Sequence, residues 1–146
     1  MILVVAEHDN ETLKSFTLNT IQASSQIDKD IDLLIIGNDS DNVAKEASEI
    51  AFVKKVLHCK SEIYEKHLAE NVAPLIVKLA DQYSHILAPA TAFGKNLMPR
   101  IASLLDVSQI SDIIKIESPD VFVRPIYAGN AMATIKSNDA KKIITI

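Results

Sequence analysis

Glycine is scarce in this chain of 146 residues, at 3, and tryptophan is missing altogether. Loops that cradle a pyrophosphate on backbone N–H groups consume glycine, so the shortage already weighs against a nucleotide site. A single cysteine, Cys59, excludes an internal disulfide and a cysteine-rich metal site, and suggests a reducing compartment. No stretch approaches the roughly 18 consecutive apolar residues of a membrane span. Positive charge is in the minority: 15 Lys and Arg stand against 19 Asp and Glu, for a net charge of −4. That balance argues against a nucleic-acid surface or a polybasic membrane patch. Met1 leads straight into Ile2-Leu3-Val4-Val5, with neither a basic n-region nor an Arg/Ser-rich leader. Apolar residues make up 48% and charged residues 23%, which excludes intrinsic disorder. The length suits one domain, 1–146, able to bury roughly 68–70% of its unfolded surface.

The first two thirds alternate apolar runs with helical periods. Ile2–Ala6, Ile31–Gly37, Lys54–Lys60 and Ser84–Ala88 read as strands, the uninterrupted apolar runs among them as strands covered on both faces. Between them lie a helix capped by Asn10, with Leu13, Phe16, Thr17, Thr20 and Ile21 on one face, and a short helix at Asp41–Ile50. A longer helix carries Leu68, Val72, Leu75, Ile76 and Leu79, with Pro74 predicting a kink or a start shortly before it. A fourth helix is expected at Lys95–Asp106. This alternation predicts an α/β fold: right-handed βαβ units, a mainly parallel sheet and helices on both faces in three layers. After Val107 the runs Gln109–Glu117, Val121–Tyr127, Ala131–Lys136 and Lys141–Ile146 are separated by turns too short for helical crossovers. They are expected to pair antiparallel, with Pro125 placing its strand at an edge or bulge. The chain stops inside the apolar run Ile143–Ile146, as fragments often do, and so reads as part of a longer protein.

Motifs that carry chemistry fail in turn. Glu7-His8-Asp9-Asn10 follows the first strand where G-x-G-x-x-G would stand, and Gly94-Lys95 lacks both the upstream glycine and the following Ser/Thr of a P-loop. His8, His58, His67 and His85 are scattered, which favours solvated or internally satisfied rings over metal ligands. Adjacent His58 and Cys59 on a strand point to opposite faces. Glu7, Asp9 and Glu11 are expected to cap and solvate the sheet's carboxyl edge. Two stretches stand out. Ala88–Arg100 joins a strand's carboxyl end to a helix start, where open α/β sheets hold ligands or partners, and offers Thr91, Lys95 and Arg100 to an anion or acidic partner. Arg124–Ala131 reads as a strand, a turn at Gly129 and a return strand. Both stretches also read as plain connections with exposed polar residues.

These strings carry a family resemblance. Val5-Ala6-Glu7-His8 with Leu18-Asn19-Thr20, Phe93-Gly94-Lys95-Asn96-Leu97-Met98-Pro99-Arg100, Ile110-Ser111-Asp112-Ile113 and Arg124-Pro125-Ile126-Tyr127-Ala128-Gly129-Asn130-Ala131 resemble, in order and spacing, the alpha subunit of electron transfer flavoprotein. The resemblance covers the whole chain but only the amino-terminal domain of that subunit. It implies an adenine-nucleotide-hydrolase-like fold without its phosphate loop, serving as a scaffold against a beta subunit. The implied complex is an FAD-containing heterodimer that moves electrons from acyl-CoA-type dehydrogenases, as in fatty acid β-oxidation, to a quinone-linked acceptor. FAD belongs mainly to the carboxyl-terminal domain, absent from this chain, and AMP, where present, to the beta subunit. No catalytic, cofactor-binding or metal-binding residue is carried over, and no cofactor is expected on this chain alone. Phe93, Lys95, Arg100, Tyr127 and Asn130, which combine aromatic and Arg character within the two most specific strings, are the expected subunit or domain contacts. The implied location is the bacterial cytoplasm or the mitochondrial matrix. Two other readings compete: a stand-alone adenine-nucleotide-binding domain resembling universal stress proteins, and a self-associating structural module.

Overall fold

A computed structural model describes residues 1–146. Four strands and four helices alternate first: β1 (Ile2–Val5), α1 (Ser15–Ser24), β2 (Ile31–Gly37), α2 (Asp41–Ser48), β3 (Val53–Lys60), α3 (Ala69–Leu79), β4 (His85–Ala88) and α4 (Ala92–Leu104). Five strands follow: β5 (Gln109–Ile110), β6 (Lys115–Ser118), β7 (Val121–Ile126), β8 (Ala131–Lys136) and β9 (Lys142–Thr145). The main sheet has the order β3-β2-β1-β4-β9-β5 and is parallel throughout, while β6-β7-β8 form a separate antiparallel sheet. Every residue of β1, β2 and β4 is buried, as expected of mostly apolar strands covered on both faces. The two charged or titratable exceptions are bonded: Asp32 accepts the Tyr83 hydroxyl at 2.7 Å and His85 meets the Pro119 carbonyl. One face packs Leu3, Val5, Leu34 and Ile36 against Val72 and Ile76 of α3 and Leu97, Met98 and Ile101 of α4. The other packs Ile2, Val4, Leu33 and Ile35 against Ile21 of α1 and Val43 of α2, with Phe122 of the small sheet closing it.

Five expectations need correction. The strands after Val107 do not all pair antiparallel, because β9 lies parallel between β4 and β5. A parallel connection needs a long crossover but not a helical one, and the β6-β7-β8 meander supplies it. Outside that meander the only antiparallel pairing is an isolated bridge between His8 and Leu13. The run Gln109–Glu117 is two strands in two sheets. It breaks at Asp112, which adopts φ 53 and donates its N–H to Thr145 Oγ1 at 2.9 Å. α1 starts at Ser15, with Asn10 left-handed in the preceding loop rather than capping it; Thr17, Thr20 and Ile21 face inward as expected, but Phe16 is 57% exposed. Pro125 sits in the central strand of its sheet, yet opposite only Met132, beyond the last β6 pairing at Val123, so no ladder bond is lost there. α3 begins five residues before Pro74 and runs through it, and α4 begins earlier than expected and runs through Pro99. Both prolines are exposed, so the carbonyls they leave without helical donors face water.

Candidate interface site at the carboxyl edge

The order β3-β2-β1-β4 reverses the direction of strand addition between β1 and β4, and the crevice beyond their carboxyl ends is where such sheets hold ligands. Here the chain fills it with its own side chains. Glu7 follows β1 directly and is gripped from α1: its N–H donates to Thr17 Oγ1 at 2.9 Å, and the Thr17 hydroxyl donates back to its carbonyl at 3.2 Å. Its carboxylate accepts the Thr91 hydroxyl at 2.7 Å. Thr91 is the N-cap of α4, yet its side chain makes no capping bond. A carboxylate is thereby held at the start of α4, where the helix dipole favours an anion. Gly94, in the first turn of α4, packs so closely that a Cβ there would overlap the Pro89 carbonyl oxygen.

Beyond β4 the edge changes character. A hollow of about 580 Å³ is bounded by Ala90, Asp112, Ile113, Ile114, Pro125, Ala128, Gly129 and Ile146. A second, of about 390 Å³, shares Ala90 and Ile146 and adds Phe16, Asn19 and Thr91. Lys95 pairs with Asp112 at 3.1 Å on the rim of the first hollow. The turn from β7 to β8 forms its outer lip, with Tyr127, Ala128 and Gly129 all left-handed at φ 49, 54 and 87. Asn130 closes that turn, its N–H donating to the Tyr127 carbonyl at 3.1 Å and its Nδ2 at 2.9 Å. The Tyr127 side chain is 80% exposed.

The structure thus gathers Lys95 and the Tyr127–Asn130 turn around one hollow. It does not gather all five expected contact residues there. Phe93 turns inward, half-buried, with its ring edge-on to His67 at 6.4 Å between centroids. Arg100 is exposed and lies five residues beyond Lys95, about 140° around the helix. The expected anion-binding trio also separates: Thr91 is committed to Glu7, Lys95 to Asp112, and Arg100 makes no ion pair. Sequence reasoning passed over Asp112 because its role depends on a left-handed break between sheets. Glu7 was expected to cap; instead it plugs the crevice. Asp9 behaves as expected, accepting the Glu11 and Thr12 N–H groups and pairing with Lys14, interactions that hold its carboxyl well below the usual range.

The histidines sort into three environments. Nε2 of His58 meets Ser40 Oγ at 2.9 Å, on the face opposite Cys59, which joins the α3 side of the core. His85, buried in β4, bonds the Pro119 carbonyl through Nε2 at 2.7 Å and ties the small sheet to the large one; burial lowers its pKa. His8 and His67 stack edge-to-face at 4.7 Å between centroids. No helix is long and apolar enough to cross a membrane, and no group of three His, Cys, Asp or Glu residues is placed to hold a metal ion.

Comparison with known proteins concerns the whole chain. Residues 2–146 match the family model described as the electron transfer flavoprotein domain. The chain is 52% identical over 145 residues to the electron transfer flavoprotein subunit alpha of Pseudomonas aeruginosa, covering 99% of this chain and 47% of that protein. It is 45% identical over 152 residues to the mitochondrial subunit alpha of Dictyostelium discoideum, covering 99% of this chain and 43% of the relative. The subunit alpha of Paracoccus denitrificans is 46% identical over 145 residues, covering 99% and 47%. The chain therefore spans about half the length of the curated relatives it matches. A match of this extent, over a fold with β1 and β4 at its centre and a meander inserted before its last parallel strand, shows that the chain belongs to the electron transfer flavoprotein family, as the amino-terminal domain of an alpha subunit.

Proposed function

We propose that this chain is a scaffold: one wall of the base that carries a flavin domain, packed against a beta-type subunit. The whole assembly is an FAD-containing heterodimer that takes electrons from acyl-CoA-type dehydrogenases and passes them to a quinone-linked acceptor, in the bacterial cytoplasm or the mitochondrial matrix. The observation that carries this reading is the contrast along the carboxyl edge. The crevice that holds nucleotides in related architectures contains the Glu7 carboxylate and its Thr91 partner, while the neighbouring hollow is open and apolar. The residues present do not fit FAD. Its pyrophosphate needs convergent N–H donors, and Glu7 sets a negative charge at the start of α4 beside the crevice. FAD is accordingly assigned to the rest of the alpha subunit with help from the beta subunit, and AMP to the beta subunit. This chain supplies surface and position rather than a catalytic group.

The contacts are drawn from Phe93, Lys95, Arg100, Tyr127 and Asn130. Lys95 borders the apolar hollow through its pair with Asp112, and Tyr127 and Asn130 flank the Ala128 and Gly129 that line it. Arg100 extends the surface along α4, while Phe93 stands apart against His67. Affinity for a beta-type subunit, measured for alanine variants at Lys95, Arg100 and Tyr127, tests the assignment. A loss of about tenfold or more at one of them is expected; unchanged affinity at all three would overturn it. Titration of FAD into the chain, followed by flavin fluorescence, is expected to show no saturable quenching. Stoichiometric binding at roughly micromolar concentration would instead favour a stand-alone cofactor-binding domain.

A further inference from the structure

Two loops meet beyond the carboxyl ends of β1 and β2: residues 6–14, which lead into α1, and residues 61–68, which lead into α3. Asn10 Nδ2 donates to the Glu65 carbonyl at 3.2 Å across the gap, and His8 and His67 stack beside it under Phe93. His8 is 6% exposed, and its Nδ1 accepts the Asn10 backbone N–H at 3.0 Å. That bond requires a neutral ring with its proton on Nε2. A proton added at Nδ1 would set one N–H against another at the residue that bridges the two loops. The partner ring is no better placed to accept charge. His67 Nε2 is enclosed without a hydrogen-bond partner, on a residue held at φ 48.

We propose that His8, His67 and Asn10 form a proton-sensitive latch, which docks the 61–68 segment on the carboxyl edge when both rings are neutral and frees it when His8 is protonated. The surroundings support this from every side. His67 faces His8 from the 61–68 segment and His58 from β3, and both disfavour a charge on it; Phe93 of α4 is uncharged. Asp41, at the start of α2, lies 3.9 Å from His58 Nδ1 rather than against His8. On the same loop Asp9 favours the charged ring, but its carboxylate already meets Lys14 and two N–H groups. Burial, helped by the two imidazoles, brings His8 down to about 4, and burial lowers His67 as well, while the Ile36 carbonyl opposes both shifts. Freeing the segment leaves its ends in place. The Ser61 N–H still donates to the Gly37 carbonyl at 2.9 Å, and Asn71 Nδ2 to the Ile63 carbonyl at 3.1 Å.

An NMR titration of the chain from about pH 7.5 to about pH 3.5, reading the imidazole signals and the amides of residues 62–68, tests the latch. The His8 ring is expected to titrate near 4, with the 62–68 amides shifting at the same midpoint. In His8→Asn the side-chain carbonyl replaces the Nδ1 acceptor without titrating, and the coupled shift should vanish. In His67→Gln the midpoint should rise by about one pH unit. The proposal is overturned if the 62–68 amides shift with an unchanged midpoint in His8→Asn, or stay still while His8 titrates. Loss of all amide signals together at that midpoint would also overturn it. Should a variant not fold, the agreement or disagreement of the two wild-type midpoints decides.

Discussion

The two halves of the carboxyl edge use similar material to opposite ends. Over β2 and β1, short polar side chains bond across the loops: Asn10 reaches Glu65, Ser40 meets His58, and Glu7 holds Thr91. Gly37 lies so close beneath that a Cβ would strike the Asn10 side-chain oxygen. Over β9 and β5 the lining is Ala90, Ile113, Ile114, Pro125 and Ile146, with few polar groups and a tyrosine standing in solvent. A half that bonds most of its polar groups within the chain gains little from a partner. An apolar half gains whatever area a partner covers, at about 25 cal/mol per Å² before the costs of association. The proposed interface is placed on the second half for that reason.

Substitution can break or sharpen this contrast. The largest effect is expected from Gly94→Ala, because the new methyl meets backbone that cannot rotate away. Urea unfolding should show a loss of about 3 kcal/mol. Next comes acidification, which acts on the latched half. The folded pKa of His8 lies near 4, below the unfolded value of 6.5, so the unfolded chain binds the extra proton between them. Stability should be full above about pH 6.5 and fall towards pH 4 by at most about 1.4 kcal/mol per pH unit for this one group. The buried His85 should add loss in the same direction. Thr91→Val, which strips the bond to Glu7 from a half-buried carboxylate, should cost about 1 kcal/mol, with Thr91→Ser restoring most of it. The smallest effect is expected on the open half: Tyr127→Ala should change stability by no more than about 0.5 kcal/mol while weakening association with a beta-type subunit. A large stability loss there would erase the distinction between the halves.

The parallel core was legible because β1 is apolar without interruption and β2 and β4 nearly so, broken only by Asp32 and His85, and strands covered on both faces need that pattern. The family strings were legible as strings, not as a constellation. Lys95 comes to border the same hollow as the β7–β8 turn, through Asp112, only because β9 passes between β4 and β5 and carries Asp112 and Ile113 with it through Thr145. The start of α1 was misplaced because Asn10 is a good N-cap in isolation, yet here it bridges to Glu65, 55 residues away. His8 and His67 gave no periodic or spaced signal at all, since 59 positions of chain separate two rings that touch.

Local chemistry was enough to determine the alternation of strand and helix, the absence of a phosphate loop, and the change of grammar near Val107. Each depends on side-chain period or on glycine supply, which neighbours in sequence settle among themselves. Tertiary structure alone decided that β5 and β9 join the parallel sheet, that a carboxylate closes the crevice between β1 and β4, and that two distant histidines share one buried site. Those outcomes depend on which segments arrive beside each other once the core closes. Burial then gives a bond or a charge a weight that it never carries in the open chain.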